Sequence, residues 1–257
     1  MRGDPSVPVG GMDQRRIELD RALGDESTPT YVAVRALIAL SGENNERLAR
    51  ATAMGRKFVA AVRRRVAEGR AASLLTEKPS AIERVLDAAT AQLVASGRAE
   101  LAIGGVAAAA DIPRRTLYRL YGADELIDAC QRRATTVWRA RFQRRVERAD
   151  VSDAERVFVV VDAIADWVGS ERFRDDQVLR PLLSAEARGD ELREHITAIA
   201  RFSTGIAQRA QIAEPHGFGI FVAMSVIGAA AWIDRPDESH AAAIAVVERM
   251  AGAPRRR

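Results

Sequence analysis

SAIERVLDAATAQLVASG, residues 80–97, is the stretch that decides the fold class. Ser80 and Glu83 have the spacing of a capping box, in which each side chain pairs with the other's backbone N–H at a helix start. Apolar residues then recur three and four positions apart, the period of one helix face. Gly97 is typical of a helix end. No stretch of the chain alternates with the period of two that a strand needs, so the sequence predicts an all-α protein.

Three further helices are predicted directly after this one. Residues 103–110 form an Ala-rich apolar run, and Pro113 suits the start of a short helix over residues 114–121. A longer helix over residues 123–148 has acidic residues in its first turn and arginines in its last, which matches the helix dipole at both ends. Two short helices joined by a tight turn are therefore expected between two longer ones.

A second capping box, Ser152 with Glu155, opens the C-terminal part of the chain. Gly and Pro residues then divide it into apolar helical segments. The predicted helices are 152–169, 174–188, 190–212, 217–233 and 237–251. They form a helical bundle of their own.

Composition excludes several classes of protein. The 257 residues include one cysteine, Cys130, and three histidines far apart in the sequence, so neither a disulfide framework nor a metal site is expected. No phosphate-binding loop, nucleophile elbow or paired acid motif indicates an enzyme or a bound cofactor.

The net charge of +4 is distributed unevenly along the chain: residues 1–150 have 26 Lys/Arg against 19 Asp/Glu, whereas residues 151–257 have 13 against 16. A basic N-terminal part favours a polyanionic partner.

The termini and apolar runs predict a cytoplasmic protein without a membrane span. The N-terminus has no apolar run of signal-peptide length. The longest apolar run, residues 218–233, is short for a bilayer and rich in Gly, Ala and Ser, which favours a helix buried in protein. Residues 1–29, with several Gly and Pro at their start, are expected to form a disordered or loosely ordered leader.

Residues 80–133 resemble the DNA-binding domain of the tetracycline-repressor-like (TetR) regulators. The similar blocks read VLDAATAQLVASG at 85–97, VAAAADI at 106–112 and RRTLYRLY at 114–121. The resemblance implies a helix-turn-helix whose second helix enters the DNA major groove. It places Thr116 and Tyr118 on phosphates and Arg114 and Arg115 on base edges. The predicted DNA-binding residues are Arg114, Arg115, Thr116, Tyr118, Arg119 and Tyr121.

Four departures from the family pattern concern DNA binding. The capping Thr or Ser and the nearby Arg of the second helix are replaced by residues 101–105, LAIGG, and the turn Gly by Asp111. Pro113 replaces a Ser, and the fourth helix lacks its first Lys. An alternative therefore stays open, a ligand-binding or scaffold protein of the same fold with weakened or lost sequence-specific DNA binding.

The resemblance also implies a role for residues 134–257, as a regulatory and dimerisation domain. The expected protein is a homodimeric repressor whose operator binding is controlled by an unknown small molecule. Helices 217–233 and 237–251 would form the dimer interface, with burial inside the protomer as an equal alternative. The predicted pocket residues are Phe158, Trp167, Phe173, His195 and Phe202.

Residues 30–79 are an N-terminal extension to this pattern. A helix is predicted at 30–40, and the following stretch matches the helix-turn-helix at an offset of 58 residues. The favoured interpretation is nevertheless one continuous helix through residues 48–66, because apolar residues also recur three and four positions apart along it and form a three-four stripe on one helix face. The expected accessory DNA contacts are Arg56, Lys57, Arg63 and Arg64.

Overall fold

The computed structural model describes residues 9–25, 27–97, 100–169, 189–231 and 236–251. All the regular secondary structure in these residues is helical. The all-α prediction is confirmed for these residues. The chain divides into two compact units, one ending at Arg141 and the other beginning at Phe142. The division falls inside one long helix, as does the predicted boundary after residue 133.

Five helices form the N-terminal part of the first unit. They are α1 Val9–Gly24, α2 Thr30–Leu40, α3 Asn45–Thr52, α4 Arg56–Ala67 and α5 Ser73–Thr76. The expectation of a loosely ordered leader over residues 1–29 is wrong for α1, which packs on α2 with Leu19 and Leu23 buried. Residues 1–8 of that leader lie outside the described residues.

The predicted continuous helix through residues 48–66 is also wrong. Helix α3 ends at Thr52, Ala53 adopts the left-handed conformation with φ of 56°, and α4 begins at Arg56. In a straight helix of 3.6 residues per turn, Met54 would point about 120° away from Leu48. The turn instead buries both of these side chains in the same core.

Four helices follow and match the prediction to within one residue at each end. They are α6 Ala81–Ser96, α7 Ile103–Ala109, α8 Arg114–Leu120 and α9 Ala123–Arg148. The capping box at the start of α6 is present, with the Ser80 N–H donating to Glu83 Oε2 (2.7 Å) and the Glu83 N–H to Ser80 Oγ (3.4 Å). Gly97 ends α6 with φ of 77°, a conformation that favours glycine.

The second unit contains the remaining described helices, α10 Asp153–Gly169, α11 Gly189–Arg209, α12 Pro215–Ala231 and α13 Pro236–Ala251. The capping box of Ser152 and Glu155 is again present at the start of α10. Helix α11 ends three residues earlier than predicted, and Gln211 then turns the chain with φ of 56°. The predicted helix 174–188 lies outside the described residues.

Helices α11 and α12 pack very closely within the protomer. A Cβ atom on Gly219 would collide with Thr204 Oγ1 and with the Ala200 carbonyl oxygen, so only glycine permits this approach. This face of α12 is buried, whereas Ile220 and Met224 on the same helix are exposed. In the part of the chain that the structure describes, no helix is both long and apolar enough to cross a bilayer.

Candidate DNA-binding surface

Helices α7 and α8 are joined by the tight turn of a helix-turn-helix. Asp111 has φ of 50°, the left-handed conformation that Asp tolerates better than most residues. The turn closes with the Ile112 N–H donating to the Ala107 carbonyl oxygen (3.1 Å). Arg84 of α6 donates through Nε to the carbonyl oxygen of Ala110 (2.8 Å), which satisfies one of the unpaired groups at the end of α7.

Helix α8 presents one basic face to solvent. Arg114, Arg115 and Arg119 are exposed, and the Tyr118 side chain is 54% exposed. The Arg114 guanidinium lies 5.5 Å from the centre of the Tyr118 ring and donates to its hydroxyl oxygen (3.1 Å). This contact orients two of the predicted DNA-binding side chains together.

The opposite side of α8 anchors it to the core through Leu117, which is fully buried. Thr116 is partly exposed at the border between the two sides. The apolar pattern of α8 predicts that Leu120 faces inward with Leu117, but this prediction is wrong, because the Leu120 side chain is 41% exposed. The core therefore holds α8 through one residue, and most of its surface stays accessible.

Tyr121 differs from the other predicted DNA-binding residues because it faces protein. It is half-buried, and its hydroxyl donates a long hydrogen bond of 3.4 Å to the Ala53 carbonyl oxygen at the end of α3. Burial raises the pKa of the Tyr121 hydroxyl. Thr136 of α9 likewise donates through Oγ1 to the Ala51 carbonyl oxygen (2.9 Å). Tyr121, directly after α8, and Thr136 of α9 thus cap the end of α3, and we leave Tyr121 out of the proposed DNA contacts.

The start of α7 has no side-chain cap, as the sequence predicts, but it lies against Gln92 of α6. Gln92, one turn before the end of α6, accepts a hydrogen bond from the Ala102 N–H through Oε1 (3.3 Å). Gly105 lies so close to the Gln92 amide that a Cβ atom there would displace it. The loss of the side-chain cap expected from the sequence is therefore confirmed, and Gln92 instead holds the residue that precedes α7.

Helices α3 and α4 form a second helix-turn-helix. Its left-handed residue, Ala53, precedes Asp111 by the predicted 58 positions. Each turn is followed by a pair of exposed cations and then by a fully buried apolar residue. These residues are Arg56, Lys57 and Val59 in α4, and Arg114, Arg115 and Leu117 in α8. The repeat seen in the sequence is thus also a repeat of structure.

Two of the four predicted accessory DNA contacts have partners inside the protein. Arg63 donates to Asn45 Oδ1 (2.7 Å) and to the Ser41 carbonyl oxygen (2.8 Å), so its guanidinium holds the start of α3 against α4. Arg64 is exposed and lies 3.8 Å from the Glu68 carboxylate. Among the described residues, Arg56 and Lys57 have neither an ion pair nor a hydrogen bond through their side chains.

A buried ion pair joins α2, which packs on α4, to α6, which packs on α7. Arg35 of α2 donates through Nε to Glu83 Oε1 and through Nη2 to Glu83 Oε2, each at 2.7 Å, and both side chains are almost fully buried. Sequence reasoning missed this contact. Arg35 is the lone charged residue in an 11-residue apolar helix. Because a buried charge needs a partner, this position in the sequence could have predicted an ion pair for Arg35.

Arg35 uses all five of its N–H donors. Besides Glu83, it donates to the carbonyl oxygens of Leu74 (3.3 Å), Glu77 (2.8 Å) and Lys78 (3.0 Å). These carbonyls belong to α5 and the segment between α5 and α6. One side chain therefore fixes α2, that segment and the start of α6 relative to one another.

The predicted ligand pocket is only partly described. Phe158 is buried in α10, and Phe202 of α11 packs edge-to-face on Phe142 with ring centres 5.8 Å apart. Phe173 lies outside the described residues, as do the side chains of Trp167 and His195. A shared pocket for these residues stays a prediction.

The geometry defines an all-helical protein with two helix-turn-helix modules in one compact unit. No protein-family model matches the chain, and no curated protein does. Among solved structures, a TetR-like transcriptional regulator from Rhodococcus sp. RHA1 is similar, with 20% sequence identity and a TM-score of 0.48. The similarity covers 68% of this chain and 97% of that one. A likeness of this size assigns neither a family nor a function to the chain.

Proposed function

We propose that the chain is a TetR-like one-component transcriptional regulator that binds double-stranded DNA through α8. The observation that carries the proposal is the exposed face of Arg114, Arg115, Tyr118 and Arg119 on the second helix of a helix-turn-helix. Arginine donates two parallel hydrogen bonds to guanine in the major groove, and tyrosine hydroxyls contact phosphates. Leu117 and the Asp111 turn hold this face at a fixed angle to the core. The proposal is of a regulator and not of an enzyme.

The proposal includes a homodimer formed through α12 and α13. Ile220 and Met224 lie one helical turn apart on α12 and are 60% and 55% exposed, and Val246 on α13 is also exposed. Large exposed apolar side chains in such an arrangement are typical of an interface. We expect Ile220→Glu combined with Met224→Glu to halve the molar mass measured by sedimentation, without loss of helix content.

The resemblance further suggests a cytoplasmic repressor that a small molecule releases from its operator. The second unit supplies the helices for such a site, with Phe158 and Phe202 among its apolar residues. A library of small molecules screened for a rise in melting temperature of the purified protein tests this part. A hit supports it only if the compound also weakens DNA binding.

DNA binding is tested by fluorescence anisotropy with the duplex upstream of the protein's own reading frame and a scrambled duplex, at two salt concentrations. Arg115→Ala should weaken binding to the upstream duplex by about 1–3 kcal/mol, or roughly 10- to 100-fold, with a smaller effect on the scrambled one. Arg201→Ala removes one exposed charge from α11 and serves as the control. Equal weak binding to both duplexes, unchanged by Arg115→Ala, would favour the scaffold alternative.

A further inference from the structure

We infer that α3 and α4 are a second DNA-reading module, which contacts the same duplex as α8 at an adjacent segment. The inference rests on the proposed function of α8 and extends it. Each protomer would then read a longer stretch of DNA than one helix-turn-helix covers. The geometry, the charge and the placement of α4 each support it.

The first argument is the repeated turn. Ala53 and Asp111 have φ values of 56° and 50°, and each is followed by two residues that lead into a helix with two exposed cations at its start. A left-handed alanine costs roughly 1 kcal/mol, so such a turn persists only where the surrounding contacts require it. The chain therefore maintains this turn twice at the same relative position.

The second argument is the charge on α4. Residues 53–67 contain five cations and no acid. Arg63 and Arg64 have the partners described above, and Arg65 pairs with Glu77. Of these five cations, Arg56 and Lys57 have no partner among the described residues, and they correspond in position to Arg114 and Arg115 of α8. They are left for an external anion, as the phosphates of a duplex would supply.

The third argument is the distance between the two basic helices. The Tyr121 hydroxyl at the end of α8 contacts the Ala53 carbonyl oxygen, three residues before α4 begins. Even with both connecting stretches fully extended at about 3.5 Å per residue, the Cα atoms of Arg56 and Arg119 lie within about 30 Å of each other. One turn of B-DNA is roughly 34–36 Å long. Both helices can therefore engage one short segment of duplex.

The two modules are also fixed relative to each other. The buried pair of Arg35 and Glu83 joins α2 to α6, and Tyr121 and Thr136 cap the end of α3. A second contact made by a rigidly held module adds affinity without the entropic cost of ordering a flexible arm. It also fixes the spacing of the two DNA segments, because the modules cannot slide apart.

The test measures the salt dependence of DNA binding by the full chain, with a fluorescein-labelled duplex of several helical turns as the probe. The variant Arg56→Ala/Lys57→Ala removes the proposed contacts of α4, and Arg115→Ala/Arg119→Ala removes those of α8. Arg201→Ala/Arg209→Ala takes the same charge from exposed positions of α11 in the second unit and is the matched control. Circular dichroism and thermal melting confirm that each variant is folded.

Each phosphate contact contributes about 0.9 to the slope of log K against log salt, so loss of the α4 contacts should reduce that slope by about 2. The α8 variant should weaken binding by roughly 10-fold or more at both ends of the salt range, and the control should change neither the slope nor the affinity. A normal slope in the α4 variant together with weakened binding by the α8 variant overturns the inference and leaves the proposed function intact. Unchanged slope and affinity in both variants overturn both.

Base reading by α4 has a separate test, in which duplexes are selected from a random pool by the wild-type chain and by Arg56→Lys. Lysine keeps the charge but lacks the planar fork that reads guanine with two hydrogen bonds. We expect Arg56→Lys to keep the salt slope and to lose the base preference in the outer part of the selected motif. Identical motifs from the two proteins would overturn base reading by Arg56.

Discussion

Loss of the buried Arg35 guanidinium should destabilise the first unit more than any exposed substitution in it. Arg35 is 2% exposed, and all five of its donors are used, two of them on a Glu83 carboxylate that is itself fully buried. Arg35→Met fills much of the same volume but leaves that carboxylate without its cation. Breaking a buried pair from one side costs about 3–5 kcal/mol. For a unit of this size the melting temperature should fall by roughly 10–15 °C.

A double-mutant cycle separates the ion pair from the packing. Glu83→Gln alone leaves the Arg35 charge buried and should cost about 3 kcal/mol, although the glutamine oxygen can still accept from the Ser80 N–H of the capping box. The double variant Arg35→Met/Glu83→Gln has no buried charge at this position. It should therefore lose about 2 kcal/mol less than the sum of the single variants.

Cys130 supplies the assay, because it is the lone cysteine of the chain and lies buried in the first unit. Its modification by a thiol reagent along a urea gradient reports the unfolding of this unit separately from the second one. A loss below about 1 kcal/mol in Arg35→Met, or strict additivity in the cycle, would refute the conclusion that this pair holds α2 to α6.

Three further predictions concern single positions. Asp111→Gly should stabilise the protein by about 0.5–1 kcal/mol in thermal melting, because glycine adopts φ of 50° freely. The same variant should strengthen DNA binding at low salt in the anisotropy assay, because it removes an anion beside α8. Ala53→Gly removes no charge, so it should raise the stability without changing DNA binding. Burial raises the pKa of the Cys130 thiol, so Ellman's reagent at pH 8 should not react with the native protein, and fast labelling there would contradict its place in the core. Gly219→Ala should lower the free energy of unfolding by about 1–3 kcal/mol, the range for overpacking, as measured by thermal melting. Gly217→Ala is the control, because a Cβ atom there would make only ordinary contacts and should leave the melting temperature unchanged. Equal melting temperatures for the two variants would rule out the close approach of α11 and α12.

Local signals in the sequence determined the fold class and most helix ends. The capping boxes at Ser80 and Ser152 pair atoms only three residues apart, so no distant contact is needed to form them. The charges at both ends of α9 and the αL turn at Asp111 are equally local, and those elements lie where the sequence predicts. The basic residues of α8 were found for the same reason, because a short helix with one buried leucine leaves its arginines outside.

Tertiary structure decided the break between α3 and α4 and the roles of Arg63 and Tyr121. The three-four stripe of this stretch fits a continuous helix as well as a broken one, so the residues themselves did not distinguish the two. The end of α3 receives its caps from Tyr121 and Thr136, which lie 68 and 85 positions along the chain from the carbonyls they contact. The pairing of Arg35 with Glu83 spans 48 positions in the same way. Such contacts satisfy buried polar groups only once the chain has folded. The spacing of residues in the sequence therefore does not show which distant group each buried polar atom will pair with.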